Sequence, residues 1–362
     1  MAGIRKQTIQ SSIIVYFGFF IGVINTYFYT RNGSFTPEQY GVTRIFIDFA
    51  QNFYAFASLG AIPVLYKFYP YYKDNLPDRK NDLLTLVLTA SLIGFALVSL
   101  VSVVFQPFVV RKFGEHSALF LQYYYWIFPF SLGYLLFAVF ESFSWSIQKS
   151  VVSNSLKETA LRLITSVFIF LFLFKTVNFS QFMHLFSLLY LIIAILLAIY
   201  LYNTGHFKFT FSISRVTKKF YKKMLGLQFF VFGGICLNAV AVTISGLLIA
   251  SKQGLGDAGV FSLASYVASF IEVPQRSIIS VSTGALSRAW KDKNFENINR
   301  IYHRSSINML LLSLFIFGNV WLNVAQGIAV LHVQNEYLAG LSVVFILGIA
   351  KIIDAGTGVN SV

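Results

Sequence analysis

The sequence predicts an all-α polytopic membrane protein with about ten transmembrane helices. An apolar composition, ten long apolar stretches and the alternation of charge between them carry that prediction. Of 362 residues, 56% are apolar and only 12% charged, and the mean hydropathy is +0.68. A water-soluble globule of this composition would be insoluble, so the solvent of the chain is lipid. The stretches fall at about residues 9–30, 40–66, 83–106, 118–147, 157–174, 181–202, 224–250, 258–285, 306–327 and 337–358. Most run to about 20 to 28 residues, and at about 1.5 Å per residue that crosses a hydrocarbon core of roughly 30 Å.

Charge orients these stretches. Twenty of the 28 Lys and Arg residues sit at the N-terminus and in every second gap. They are Arg5 and Lys6; Lys67, Lys73, Arg79 and Lys80; Lys149, Lys157 and Arg162; Lys208, Arg215, Lys218, Lys219, Lys222 and Lys223; and Arg288, Lys291, Lys293, Arg300 and Arg304. The odd gaps hold only Arg31, Arg111, Lys112, Lys175 and Lys252, while Arg44, Arg276 and Lys351 lie inside apolar segments. The positive-inside rule then places both termini in the cytoplasm. The net charge of +14 is concentrated in short cytoplasmic gaps facing anionic lipid headgroups, so nucleic acid is not the expected partner.

The first stretch is too long for a signal-peptide core and has no small-x-small cleavage site, so it reads as an uncleaved helix. Cys236 is the single cysteine, which leaves neither a disulfide framework nor a thiolate metal site. His116, His184, His206, His303 and His332 are scattered without helical pairing, so no metal or other cofactor is expected. Gly254, Gly256 and Gly259 fit G-x-G-x-x-G but join two membrane helices rather than a strand and a helix, and nucleotide binding does not follow. The gaps leave no room for a soluble ATPase, and none on the outer side is large enough for the catalytic set of a membrane polymerase or acyltransferase. An enzyme is therefore not expected.

An internal repeat organises the chain. Gln39, Tyr40, Gly41 and Val42 open the second helix, and Asp257, Ala258, Gly259 and Val260 open the eighth, 218 residues later. The two helices close on similar aromatic and basic edges: Leu65, Tyr66, Lys67, Phe68 and Tyr69 in one, Leu286, Ser287, Arg288, Ala289 and Trp290 in the other. A duplicated six-helix unit gives parallel repeats about an axis along the membrane normal, with the passage between them. The expected lobes are 1–217, with six helices, and 218–362, truncated after about four. The last residues lack the basic stop expected after a final span, so the chain reads as a fragment; a protein of ten helices is the alternative.

Two segments resemble the multidrug/oligosaccharidyl-lipid/polysaccharide exporter superfamily, and within it the bacterial polysaccharide-flippase branch that serves O-antigen and related polymers. The first comprises Thr36, Pro37, Glu38, Gln39, Tyr40, Gly41 and Val42 and, further on, Leu59, Gly60, Ala61, Ile62, Pro63, Val64, Leu65, Tyr66, Lys67, Phe68, Tyr69 and Pro70. The second comprises Pro274, Gln275, Arg276 and Ser277, then Ala285, Leu286, Ser287, Arg288, Ala289, Trp290 and Lys291. The resemblance implies a two-lobed MATE-like bundle that alternates between inward-open and outward-open states. It implies, as cargo, an undecaprenyl-pyrophosphate-linked oligosaccharide moved to the outer leaflet of a bacterial cytoplasmic (inner) membrane. The family's bundle has 12 to 14 helices, and this chain departs from it by ending after the tenth.

Polar residues inside the stretches are the candidate substrate-binding set, because a mid-membrane charge costs about 2.5 to 3.5 kcal/mol by insertion scales and needs a cavity or a partner. Arg44, Asp48, Gln51 and Asn52 follow i, i+4, i+7, i+8 spacing and share one face. They either line a wet cleft, with Arg44 offering donors to phosphate or sugar oxygens, or neutralise each other and bond a neighbouring helix. Glu272 and Arg276 flank Pro274, which kinks its helix; they are either part of a moving element or an internal ion pair. Lys351 and Asp354 form a third candidate pair, and Glu141 and Arg162 lie near the cytoplasmic surface, where snorkelling explains them as well as function does. Asp48 and Glu272 are the acids able to carry H+ or Na+ as coupling ion. The 40 Phe and 20 Tyr read as lipid-facing bulk and interfacial belts, with sugar stacking by Tyr123, Tyr124, Tyr125 and Trp126 as the alternative. A cation-coupled multidrug exporter is the nearest rival; the pairing of Arg44 and Arg276 with the acids favours an anionic cargo.

Overall fold

A computed structural model describes residues 2–77, 80–147, 149–205, 209–272 and 293–357. Among these residues every regular element is a helix, apart from a single isolated bridge between Arg31 and Val333. Six helical segments are long and apolar enough to cross a membrane: Leu83–Val104, Tyr124–Ser146, Phe179–Asn203, Arg215–Lys252, Phe295–Val330 and Asn335–Gly356. A bent pair, Pro37–Ala57 with Ile62–Asn75, would make a seventh. The fold is that of a helical membrane protein.

The chain divides into two compact units. Unit 1 comprises residues 1–29 and 38–258. It runs through α1 (Ala2–Thr30), α2 (Pro37–Ala57), α3 (Ile62–Asn75), α4 (Leu83–Val104), α5 (Gln106–Phe113), α6 (Ala118–Gln122) and α7 (Ile127–Ser146). It continues with α8 (Ser150–Ser155), a π-helical turn (Leu156–Ala160), α9 (Leu161–Leu173), α10 (Phe179–Ser187), α11 (Leu189–Asn203) and α12 (Arg215–Lys252). α12 falls in the second lobe of the repeat reading but packs in unit 1.

Local chemistry explains the boundaries. Pro37 at the first position and Glu38 in the first turn start α2, where a missing N–H costs nothing and an acid meets the positive end of the helix dipole. α10 opens with a reciprocal capping box: Asn178 accepts from the Gln181 N–H at 2.8 Å, and the Asn178 N–H donates to the Gln181 side chain at 2.9 Å. Ser214 caps α12 by accepting from the Thr217 N–H at 3.1 Å. The apolar stretch 40–66 is interrupted at residues 58–61, and α2 and α3 meet at 49°. Leu59 and Gly60 both have positive φ, 47° and 67°, which ends the helical ladder. Gly60 is required twice over, since a Cβ there would also strike the carbonyl of Gln228 on α12.

The core of unit 1 gathers Leu65, Phe68 and Tyr72 of α3, Leu83 and Val87 of α4, Phe137 of α7, Leu197 of α11 and Met224 of α12. α7 lies directly along α11, where Gly133 leaves no room for a Cβ against the backbone of Tyr190 and Leu191. The outer face is apolar too: Leu97, Leu100 and Val104 of α4 and Phe229 and Phe230 of α12 are exposed, as a lipid solvent requires.

Unit 2 comprises residues 30–37 and 259–362. α13 (Leu255–Ser269) leads into a 3₁₀ turn (Phe270–Glu272); α14 (Phe295–Val330), a 3₁₀ turn (Asn335–Gly340) and α15 (Leu341–Gly356) follow. Asn294 caps α14 through the Asn297 N–H. α14 and α15 are tied by Ser306 Oγ donating to the Gly356 carbonyl and Tyr302 OH to that of Thr357. Gln334 donates its side-chain amide to the carbonyls of Arg31 and Phe35, holding the short 30–37 segment in this unit.

Candidate functional site

A set of polar groups in unit 1 gathers around a buried carboxylate. Glu141, late in α7, is only 8% exposed, and Lys157 grips both its oxygens, with Nζ at 3.2 Å from Oε1 and 3.1 Å from Oε2. Of the two readings open for Glu141 in the sequence, snorkelling does not describe it, because its head is enclosed by protein rather than extended to solvent. Desolvating a carboxylate in a bundle is costly unless a cation faces it, and Lys157 supplies that cation.

Lys157 reaches Glu141 from the π-helical turn. Its wider loop is closed by the Leu161 N–H bonding the Leu156 carbonyl, and it inserts an extra residue into the helix that would otherwise run from α8 into α9. In the same turn Glu158 pairs with Arg162 at 2.9 Å, so opposite charges stand in sequence around one bend. α1 buttresses it. Gly18 abuts the Glu158 carbonyl with no space for a Cβ, and Asn25 donates to the Arg162 carbonyl at 2.8 Å and accepts from Ser166 Oγ at 2.6 Å.

Four tyrosines lie within electrostatic range of Glu141: Tyr54, Tyr66, Tyr134 and Tyr190. Tyr54 stands one turn before the break between α2 and α3, and Tyr66 stands just after it, with its hydroxyl donating to Ser142 Oγ at 2.8 Å. The Tyr134 ring lies 5.6 Å from that of Tyr54 and 4.7 Å from that of Tyr190. The broken helix and the π-turn are therefore two irregular pieces of backbone around one ion pair. Together they bring hydroxyls that donate or accept and aromatic rings near charges of both signs.

Arg44, Asp48, Gln51 and Asn52 of α2 are half-buried, and Asp48 and Asn52 meet α12. Asn52 donates to Thr243 Oγ1 at 2.7 Å, and a Cβ on Gly246 would come within 2.6 Å of Asp48 Oδ2. The Arg44 guanidinium lies over the Tyr40 ring at 4.8 Å, one turn from Asp48, whose charge it opposes. Of the two readings, bonding to a neighbouring helix describes Asn52. Gln51 is half-buried beside it.

In unit 2, Glu272 forms an ion pair with Lys351 of α15, so Lys351 reaches across to another element as well as lying near Asp354 on its own helix. Arg276, with Pro274, lies outside the described residues. What sequence reasoning missed is the partnership of Glu141 with Lys157 and the tyrosines around it. The available signal was Glu141 inside an apolar stretch, followed at the start of the next by Lys157, Glu158 and Arg162.

The fold and this cluster define a helical membrane protein that holds charged groups inside its bundle. Comparison with known proteins adds no family to that class: no family model, curated protein or solved structure matches the chain.

Proposed function

We propose that the chain is a transporter of the two-lobed, alternating-access type, built from parallel six-helix repeats. Its cargo is an undecaprenyl-pyrophosphate-linked oligosaccharide, which it flips across the bacterial cytoplasmic membrane for surface polysaccharide synthesis. What supports a transporter is the Glu141–Lys157 pair and its four tyrosines, set beside a helix broken in mid-stretch. Irregular backbone and paired charge are tolerated at membrane depth where they line a wet path or are packed against protein, and discontinuous helices are characteristic of transport sites.

Arg44 and the expected Arg276 favour an anionic headgroup, since charge-assisted bonds to phosphate strengthen as water is excluded, whereas Lys157 and Arg162 are each already paired with a carboxylate. The prenyl chain stays in the bilayer, because withdrawing it into water costs about 0.8 kcal/mol per CH₂. The second reading, a cation-coupled exporter of organic cations, draws on Asp48 and Glu141 as interior acids.

The whole protein, reconstituted in liposomes carrying a lipid-linked oligosaccharide, is expected to move the sugar to the opposite leaflet. Lys157→Gln is expected to slow that movement at least tenfold at equal incorporation. Efflux of an organic cation driven by a H+ or Na+ gradient, without any sugar movement, would establish the exporter instead.

A further inference from the structure

We infer that residues 209–223 of unit 1 form an anchor for anionic phospholipid headgroups, in which an apolar hook enters the leaflet and a cationic helix face binds its phosphates. This goes beyond the choice of cargo, because it concerns the bilayer itself.

The segment has two parts. Residues 209–213 have no regular structure, and every second side chain is large and exposed: Phe209 at 55%, Phe211 at 85% and Ile213 at 60%. Intervening polar groups fasten the strand to the protein. The Thr210 N–H donates to Thr85 Oγ1 at 3.0 Å and the Ser214 N–H to Asp82 Oδ2 at 2.9 Å. Thr217 Oγ1 donates to the same carboxylate oxygen at 2.7 Å and lies 2.6 Å from the Tyr72 hydroxyl. The backbone is thus held by its polar side while its apolar side is presented outward, as a segment seated at a headgroup boundary requires.

The second part is the first three turns of α12. Arg215, Lys218, Lys219, Lys222 and Lys223 are all exposed, and their i, i+3, i+4, i+7, i+8 spacing puts them on one face. Val216, Thr217, Phe220 and Met224 take the opposite, inward side. No acid stands in the first turn, and among the described residues none of the five cations has an ion-pair partner. Cations in the first turns of a helix oppose its dipole, so helix stability does not account for five of them there. An external anion does, and the adjoining Phe209, Phe211 and Ile213 specify a lipid surface rather than a soluble anion. This gap lies on the side expected to face the more anionic leaflet.

Native mass spectrometry of the detergent-purified full chain, titrated with phosphatidylglycerol and with phosphatidylcholine, tests the anchor. Phosphatidylglycerol is expected to bind in preference, and 0.5 M salt to weaken it. The variant K218Q/K219Q/K222Q/K223Q is expected to lose at least tenfold in phosphatidylglycerol affinity, given about fivefold per surface lysine, while keeping its phosphatidylcholine binding. F209S/F211S/I213S is expected to weaken both lipids, and the control R111Q/K112Q, exposed in a gap expected on the opposite side, neither. A quadruple variant within twofold of the parent, an equal loss in R111Q/K112Q, or no preference in the parent would each overturn the assignment. Should the quadruple variant fail to elute as a monodisperse species, K218Q/K222Q is read by the same criteria, with a threefold loss as its threshold.

Discussion

Removing one partner of the Glu141–Lys157 pair is expected to have unequal consequences for the two residues. The Glu141 side chain is 10% exposed and that of Lys157 is 41% exposed. Lys157→Met leaves a carboxylate enclosed and unpaired; breaking fully buried pairs costs about 3 to 5 kcal/mol, and the partial exposure of Lys157 brings the expectation here to about 2 to 3 kcal/mol. Glu141→Gln leaves a lysine whose flexible stem can carry its ammonium toward water, at about 1 kcal/mol. The double variant should fall well short of the sum of the singles, because once the carboxylate is neutral the missing ammonium is no longer needed. Thermal unfolding of the detergent-purified protein, followed by size-exclusion chromatography after heating, ranks the three variants. Equal losses in the singles, or an additive double, would refute a buried Glu141 neutralised by Lys157.

Three further outcomes follow from other contacts. Gly60→Ala meets both a φ of 67° and the Gln228 carbonyl, whereas Gly33→Ala meets a φ of 77° with open space around it. Both incur about 1 to 2 kcal/mol of left-handed backbone strain, so only Gly60→Ala should show a larger loss in the same thermal assay. Asn52→Ala and Thr243→Val each remove the 2.7 Å bond between α2 and α12. Each is expected to cost about 0.5 to 1 kcal/mol, with sub-additive losses in the double, again by thermal unfolding. Arg44→Ala and Arg276→Ala should each abolish surface polysaccharide at unchanged membrane levels, read by polymer blots beside membrane immunoblots; normal polymer from both would remove the anionic-site proposal.

Hydropathy placed ten stretches, of which six are, among the described residues, helices long and apolar enough to cross a membrane, with a seventh if the bent pair is one span. Lipid imposes an apolar exterior over a sufficient length, and that constraint made those six legible. Period alone also placed Arg44, Asp48 and Asn52 on a common face of α2, since side chains four apart point the same way. It could not name α12 as the neighbour of that face, because Thr243 is 191 residues from Asn52. The break at residues 58–61 was hidden for a related reason: Leu59, Gly60, Ala61 and Ile62 are all compatible with an apolar stretch, and only Gly60 with Pro63 hinted at a stop. The π-turn has no compositional signature. Without it, nothing in the order of residues would bring Lys157 to a carboxylate 16 residues earlier.

The two irregularities in unit 1 share a physical logic. A helix interrupted within an apolar stretch exposes backbone groups that lipid cannot satisfy. At the break Ser58 meets part of that demand, its N–H bonding the Tyr54 carbonyl and its hydroxyl the Ala55 carbonyl, while Pro63 brings no N–H to the first turn of α3. On the other side of Glu141 the π-turn spends regular hydrogen bonding to place Lys157. Apolar side chains of similar volume can replace a buried ion pair at little or no loss of stability, so fold stability alone does not call for Glu141 and Lys157. Two backbone departures and four tyrosines arranged around one compensated charge are instead what a polar passage through an oily bundle would require, which is why the proposed transport path is drawn through this cluster.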